Sequence, residues 1–166
     1  LLAEGDVPEP SGRVIGESSV VAAADRLIAN TSAEASQLLD LYDAHPAQVA
    51  TVPPGVDLSV FTPGDGQAAR RRLGLAASAH VLLFVGRIQQ LKGLDVAVDT
   101  LAQMTATSAQ VVVVGGPSGV DGIAELARIR STTSAHGLTD RVHFVDPQPH
   151  HMLSTYYRAA DLCLVP

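Results

Sequence analysis

The chain has 166 residues, of which 11 are Lys or Arg and 17 are Asp or Glu, leaving a net charge of −6 at neutral pH. With 46% hydrophobic and only 17% charged residues it can bury a dry core, which excludes a disordered polymer. The acidic balance argues against coating nucleic acid, where surplus Lys and Arg must neutralise phosphates.

Arg26-Leu27-Ile28-Ala29-Asn30 reads as a short strand. Thr31-Ser32-Ala33-Glu34 follows as a capping box, whose hydroxyl and carboxylate satisfy free N–H groups at a helix start. The helix it opens places Ala35, Leu38, Leu39 and Tyr42 on one face, and Pro46 is expected to close it. Val49 to Val52 reads as another strand. Pro53-Pro54-Gly55-Val56-Asp57 is turn chemistry, and Phe61-Thr62-Pro63-Gly64-Asp65-Gly66 has the composition of a linker, so a domain boundary is expected there.

Beyond it the pattern is more regular. Val81-Leu82-Leu83-Phe84-Val85 is a continuous apolar run, as in a strand buried on both faces of a parallel sheet. Leu94, Ala97, Val98, Leu101 and Met104 form one helical stripe. Val111 to Val114 is a second buried strand. Ile123, Leu126, Ala127 and Ile129 give the next helical face, ending near His136-Gly137. Val142 to Val145 and Leu162 to Val165 are further strands, with a helix from about Leu153 to Ala160 between them. This alternation implies an α/β fold with an open, doubly wound parallel sheet and right-handed crossovers.

No apolar run approaches the roughly 20 residues of a membrane span. A single cysteine, Cys163, excludes an internal disulfide and reads as a small core residue. The start at Leu1-Leu2-Ala3, without Met or leader, and the stop at Pro166 just after a strand read as an excerpt from a longer, intracellular protein.

In such sheets ligands bind beyond the carboxyl ends of the strands. Three loops qualify. Gly86-Arg87-Ile88-Gln89-Gln90-Leu91-Lys92-Gly93 carries two cations between a buried strand and a helix start. A guanidinium fork plus a mobile ammonium suits a diphosphate; pairing with surface carboxylates explains the same residues without a ligand. Gly115-Gly116-Pro117-Ser118-Gly119 is a ligand loop or a tight turn. Lys92-Gly93-Leu94 lacks the Ser/Thr of a Walker loop, and the Gly115 loop does not match the dinucleotide fingerprint. Asp146-Pro147-Gln148-Pro149 is stiff enough to present main-chain groups to a flat base, or is a structural turn. His150 and His151 are adjacent, a poor metal pair, and are expected on the surface.

Several runs together resemble retaining GT-B glycosyltransferases of the sucrose-synthase-like family. They are Ala24-Asp25-Arg26-Leu27-Ile28-Ala29-Asn30-Thr31, Pro54-Gly55-Val56-Asp57 with Phe61-Thr62-Pro63, Gly86-Arg87 with Lys92-Gly93, Val114 to Gly119, and Tyr157-Arg158-Ala159-Ala160-Asp161. Val7-Pro8-Glu9-Pro10, Arg13 and Pro147-Gln148-Pro149-His150 carry a narrower similarity, to the actinobacterial inositol-phosphate branch of that family. The resemblance implies a GT-B fold truncated at both ends. Residues 1–62 would be the tail of the N-terminal acceptor domain, and residues 63–166 the first part of the C-terminal donor domain. It implies transfer of N-acetylglucosamine from UDP-GlcNAc to 1D-myo-inositol 3-phosphate, with retention, in mycothiol biosynthesis.

On that resemblance Arg87 and Lys92 are catalytic and hold the donor diphosphate. Gln148 contacts the donor nucleotide, and Arg13 binds the acceptor phosphate. The backbone of Tyr157, Arg158 and Ala160 matches a structural Mg²⁺ site, while the chemistry itself needs no cofactor. The implied setting is cytoplasmic, with no membrane or nucleic-acid partner; relatives suggest a homodimer. The family's Glu-x7-Glu motif would begin just after Pro166, so the piece alone is expected to be inactive. The alternatives are a GDP-mannose-dependent phosphatidylinositol mannosyltransferase, a sucrose-phosphate synthase-like enzyme, or a non-catalytic doubly wound domain.

Overall fold

A computed structural model of the chain describes residues 12–105 and 108–166. The Val7-Pro8-Glu9-Pro10 signature lies outside the described residues. The chain forms two compact units, the first ending at Val56 and the second spanning Asp57–Pro166.

The first unit contains α1 (Arg13–Ala23), β1 (Leu27–Ala29), α2 (Ser32–Tyr42) and β2 (Val49–Thr51). β1 and β2 pair in parallel, with Ile28 opposite Ala50. The Thr31 hydroxyl accepts from Glu34 N at 3.1 Å, and the Glu34 carboxylate accepts from Asn30 N at 2.6 Å. Both arms of the box are therefore made, the second reaching one residue further back than the usual pattern. α2 ends earlier than Pro46 predicts: Asp43 adopts a left-handed conformation, φ 53°, and Pro46 instead starts a 3-10 turn, Pro46–Gln48. Val21, Tyr42 and Ala44 form the small core with Leu27, Leu38, Leu39 and Val49.

The second unit contains α3 (Gly66–Leu73), β3 (His80–Val85), α4 (Leu94–Gln103), β4 (Ala109–Val114), α5 (Gly122–Ala135), β5 (Val142–Val145), α6 (His150–Ala159) and β6 (Leu162–Cys163). All four strands are parallel, in the order β5-β4-β3-β6. The chain steps outward from β3 to β5, then returns to the far side of β3, so winding reverses between β3 and β6. Both sheet faces are buried, as the apolar runs require. Val111 and Val113 pack with Leu94, Val98, Leu101 and Ile129 of α4 and α5. Val112 and Val114 pack with Tyr156 and Leu153 of α6 and with Leu73. Neighbouring residues on β4 thus serve opposite faces, as the period of two dictates.

Three readings of the sequence change. α5 does not bury Ile123 or Ala127: Ile123 is 79% exposed, and the inward face is Glu125, Leu126, Ile129 and Thr133. Glu125 is buried because Arg128 grips both of its oxygens, at 2.8 and 2.7 Å. Cys163 is not a core residue but an exposed thiol, because β6 lies at the edge of the sheet and only β3 flanks it. Finally, the linker-like stretch does not hang free. Arg158 Nε and Nη2 donate to the Thr62 and Val60 carbonyls at 2.8 and 3.0 Å, and Phe61 meets the His150 and Tyr157 rings edge-on. His150 and His151 are exposed, as expected. Among the described residues no helix is long and apolar enough to cross a membrane.

Candidate functional site

The loops after β3, β4 and β5 meet at the carboxyl ends of the strands and enclose a cleft of about 360 Å³, a size suited to a small organic ligand. It lies beyond the carboxyl ends of parallel strands, where such sheets take ligands, over β3, β4 and β5 rather than at the reversal between β3 and β6. Beyond Val85 the ladder between the first two loops continues. Gly86 N donates to Val114 O at 3.0 Å, Ile88 N to Gly116 O at 2.8 Å, and Ser118 N to Ile88 O at 3.4 Å. Ile88 is fully buried and anchors the loop. Strand-like alternation then turns its neighbour Arg87 outward, where it lines the cleft.

Gly115 has a φ of +151°, and a Cβ there would overlap the Gly86 carbonyl oxygen. Its N–H reaches Val145 O at 3.0 Å, so this one position joins all three loops. Gly93 starts α4 with a φ of +64° after the 3-10 turn Gln90–Lys92. Lys92 lies on that turn with an exposed side chain, and it is not among the residues that line the cleft.

Among the described residues Arg87 is the one charged side chain that lines the cleft. All 11 cations of the chain lie among the described residues. Nine of them contact a carboxylate, a carbonyl, a thioether or a ring. Arg87 and Lys92 have no such partner among the described residues. Among the described residues neither cation pairs with a surface carboxylate.

Gln148 lines the same cleft, with its Nε2 folded back onto Asp146 O at 2.9 Å. That engages one of the Gln148 amide donors within its own loop. Arg13 opens α1 in the other unit, its Nε 2.7 Å from Glu17 Oε1. Glu17 also accepts from the Tyr42 hydroxyl. The Arg13 and Tyr42 bonds hold the Glu17 carboxyl below its ordinary value, outweighing burial. Tyr157, Arg158 and Ala160 fall at the carboxyl end of α6; burial lifts the Tyr157 phenol above its ordinary value. Leu153, Pro117 and Ser118 also line the cleft, and the buried Gln89 Oε1 has no hydrogen-bond partner among the described residues. Leu153 was foreseen only as helix; the signal it carried was its place one turn into a helix that follows a candidate loop.

Residues 65–166 match the family model described as glycosyl transferases group 1. The chain belongs to that family. The fold of this glycosyltransferase chain is of the GT-B type: sucrose-phosphate synthase from Thermosynechococcus elongatus superposes over 100% of it with a TM-score of 0.83 at 31% identity, matching 40% of that protein. Anabaena Alr3699/HepE, solved in complex with UDP-glucose, shares the fold over 90% of the chain and 40% of its own, with a TM-score of 0.78 at 20% identity. The D-inositol 3-phosphate glycosyltransferase of Acidothermus cellulolyticus is 51% identical over 99% of the chain and 38% of its own length. That of Actinosynnema mirum is 52% identical over 99% of the chain and 41% of its own. The chain thus spans about two fifths of the curated relatives it matches.

Proposed function

We propose that the chain is the donor-nucleotide part of a retaining glycosyltransferase that moves N-acetylglucosamine from UDP-GlcNAc to 1D-myo-inositol 3-phosphate, as in mycothiol biosynthesis. The observation that carries the reading is a pair of cations, Arg87 and Lys92, that have no partner among the described residues, on the loop that opens the cleft. Negative charge grows on the UDP oxygen as the glycosidic bond breaks. A guanidinium fork and an ammonium held there stabilise that charge more than they stabilise the intact donor. Gln148 contributes the main chain of its loop to the base. The names and identities of the relatives support the choice of sugar acceptor.

In this reading Arg13 binds the acceptor phosphate. It stands in the first turn of a helix whose start has no side-chain cap, where N–H groups and the helix dipole favour an anion. Residues 1–62 are the end of the acceptor domain and 63–166 the beginning of the donor domain. The carbonyls of Tyr157, Arg158 and Ala160 match a hard cation such as Mg²⁺ in kind, because a helix end leaves carbonyls without helical donors. Such an ion would brace the end of α6 and take no part in transfer.

The test is nucleotide binding to the purified chain, followed through the backbone resonances of Gly86 to Gly93. UDP is expected to shift them and GDP to leave them in place. A response to GDP alone would transfer the reading to a GDP-mannose-dependent mannosyltransferase. No response to either would remove the diphosphate site. The sucrose-phosphate synthase-like reading shares the nucleotide, and is separated by supplying fructose 6-phosphate in place of inositol phosphate to the complete enzyme.

A further inference from the structure

A second cavity, of about 370 Å³, opens on the α6 side of the sheet but toward the amino ends of the strands. Gln110 and Val112 of β4 line it, whereas Val114, on the same face of that strand, lines the loop cleft. Gln110 and Val114 are about 13 Å apart along the strand. The two cavities therefore share a face without sharing this lining.

Tyr156 lines the second cavity and is only 8% exposed, yet its hydroxyl has no partner among the described residues. The oxygen itself still reaches solvent, so it is free to face a ligand in the cavity. Asp140, exposed at the cavity, has none either. His143 Nε2 lies 2.9 Å from Gln110 Oε1. An amide oxygen only accepts, so Nε2 carries a hydrogen, while the Gln110 amide keeps its donors. No Lys or Arg lines the cavity, so an anion would meet only the Asp140 carboxylate. Leu75, Val112 and Val145 supply apolar wall.

We infer that this cavity binds a small uncharged ring bearing several hydroxyls, a monosaccharide or a cyclitol. Such a molecule donates hydroxyl hydrogens to Asp140 and accepts from Tyr156 and Gln110. Its C–H face lies against the aliphatic wall. The inference is independent of the nucleotide reading above, because it uses no residue of the loop cleft.

The experiment titrates myo-inositol and glucose into the full chain at about millimolar levels, following the amides of Gln110, Val112 and His143 against those of Gly86 and Gly115. Shifts confined to the first group are expected, unchanged by added UDP. Glucose 6-phosphate is expected to bind far more weakly. Tyr156→Phe and Asp140→Asn should each weaken binding about 3- to 10-fold, and the second acts at an exposed position that cannot unfold the chain. Displacement by UDP would put the sugar in the loop cleft and overturn the proposal. So would equal binding of glucose 6-phosphate, unaltered affinity in both variants, or the absence of any shift.

Discussion

Arg70 Nη2 lies 2.7 Å from Asp161 Oδ2, and that same oxygen accepts from Val81 N at 2.7 Å. The buried guanidinium also donates through Nε to Ala159 O and through Nη1 to Ala77 O, each at 2.9 Å. One side chain on α3 thus ties the start of β3 to the end of α6, on the amino-end side of the sheet, away from the cleft loops. Burial pulls the Asp161 carboxyl up, but the Val81 N–H and the Arg70 guanidinium outweigh it and leave it below the ordinary carboxylate range. A carboxyl depressed in the folded state stabilises above its unfolded value, and that stabilisation is lost as pH falls through the folded value. Asp161→Asn is therefore expected to cost about 1–2 kcal/mol at neutral pH, with the gap to the unaltered chain closing below about pH 4. Urea midpoints at a series of pH values check this; a gap that stays constant into acid would contradict it.

Arg87→Ala should lower kcat/KM of the complete enzyme by about 10²–10³-fold, with UDP binding weakened in parallel. Arg87→Lys should recover only part, since an ammonium keeps the charge and loses the planar fork. Because Arg87 has no partner among the described residues, neither variant should change the thermal midpoint. Steady-state kinetics beside a melting curve separates these outcomes.

Gly115→Ala tests the joint between the loops. The added methyl meets the Gly86 carbonyl, and the backbone conformation suits glycine alone. The cost expected is about 2–3 kcal/mol, read as a lower urea midpoint, together with loss of the UDP-induced shifts at Gly86.

Cys163 should react with a chromogenic disulfide reagent in the folded chain, because the thiol is exposed. Burial of its immediate surroundings pushes the thiol above its ordinary pKa. Its labelling rate is therefore expected to rise at higher pH than that of a free thiol, since the thiolate is the attacking species. A rate that waits on denaturant would instead mean a covered strand.

The strands were legible in the sequence wherever they were continuous and aliphatic: Val81 to Val85 and Val111 to Val114 need two covered faces, and they have them. Arg87 could be singled out because a cation between a buried strand and a helix start has few structural reasons to be there. α1 and α3 passed unnoticed for different reasons. α1 carries Gly16, a Ser pair and two adjacent valines, which mute helical preference. α3 sits behind Gly64-Asp65-Gly66, read as the end of a linker, although Asp65 is its cap and accepts from Ala68 N at 3.0 Å. Cys163 was misjudged because an apolar run does not reveal whether it has two neighbours or one. The second cavity could not be foreseen at all, since Gln110, Asp140 and Tyr156 become neighbours only through the sheet.

Winding that doubles back past β3 also sets a schedule for biosynthesis. Leu83 pairs in register with Cys163, about 80 positions later, and its carbonyl accepts from Leu164 N at 2.7 Å. A ribosome adding about 5–20 residues per second needs several seconds to deliver that partner. Throughout the interval one flank of the nascent β3 shows open backbone groups, a template for unwanted strand pairing. Chaperone dependence of the newly made chain should accordingly peak before β6 emerges from the exit tunnel and fall away after it.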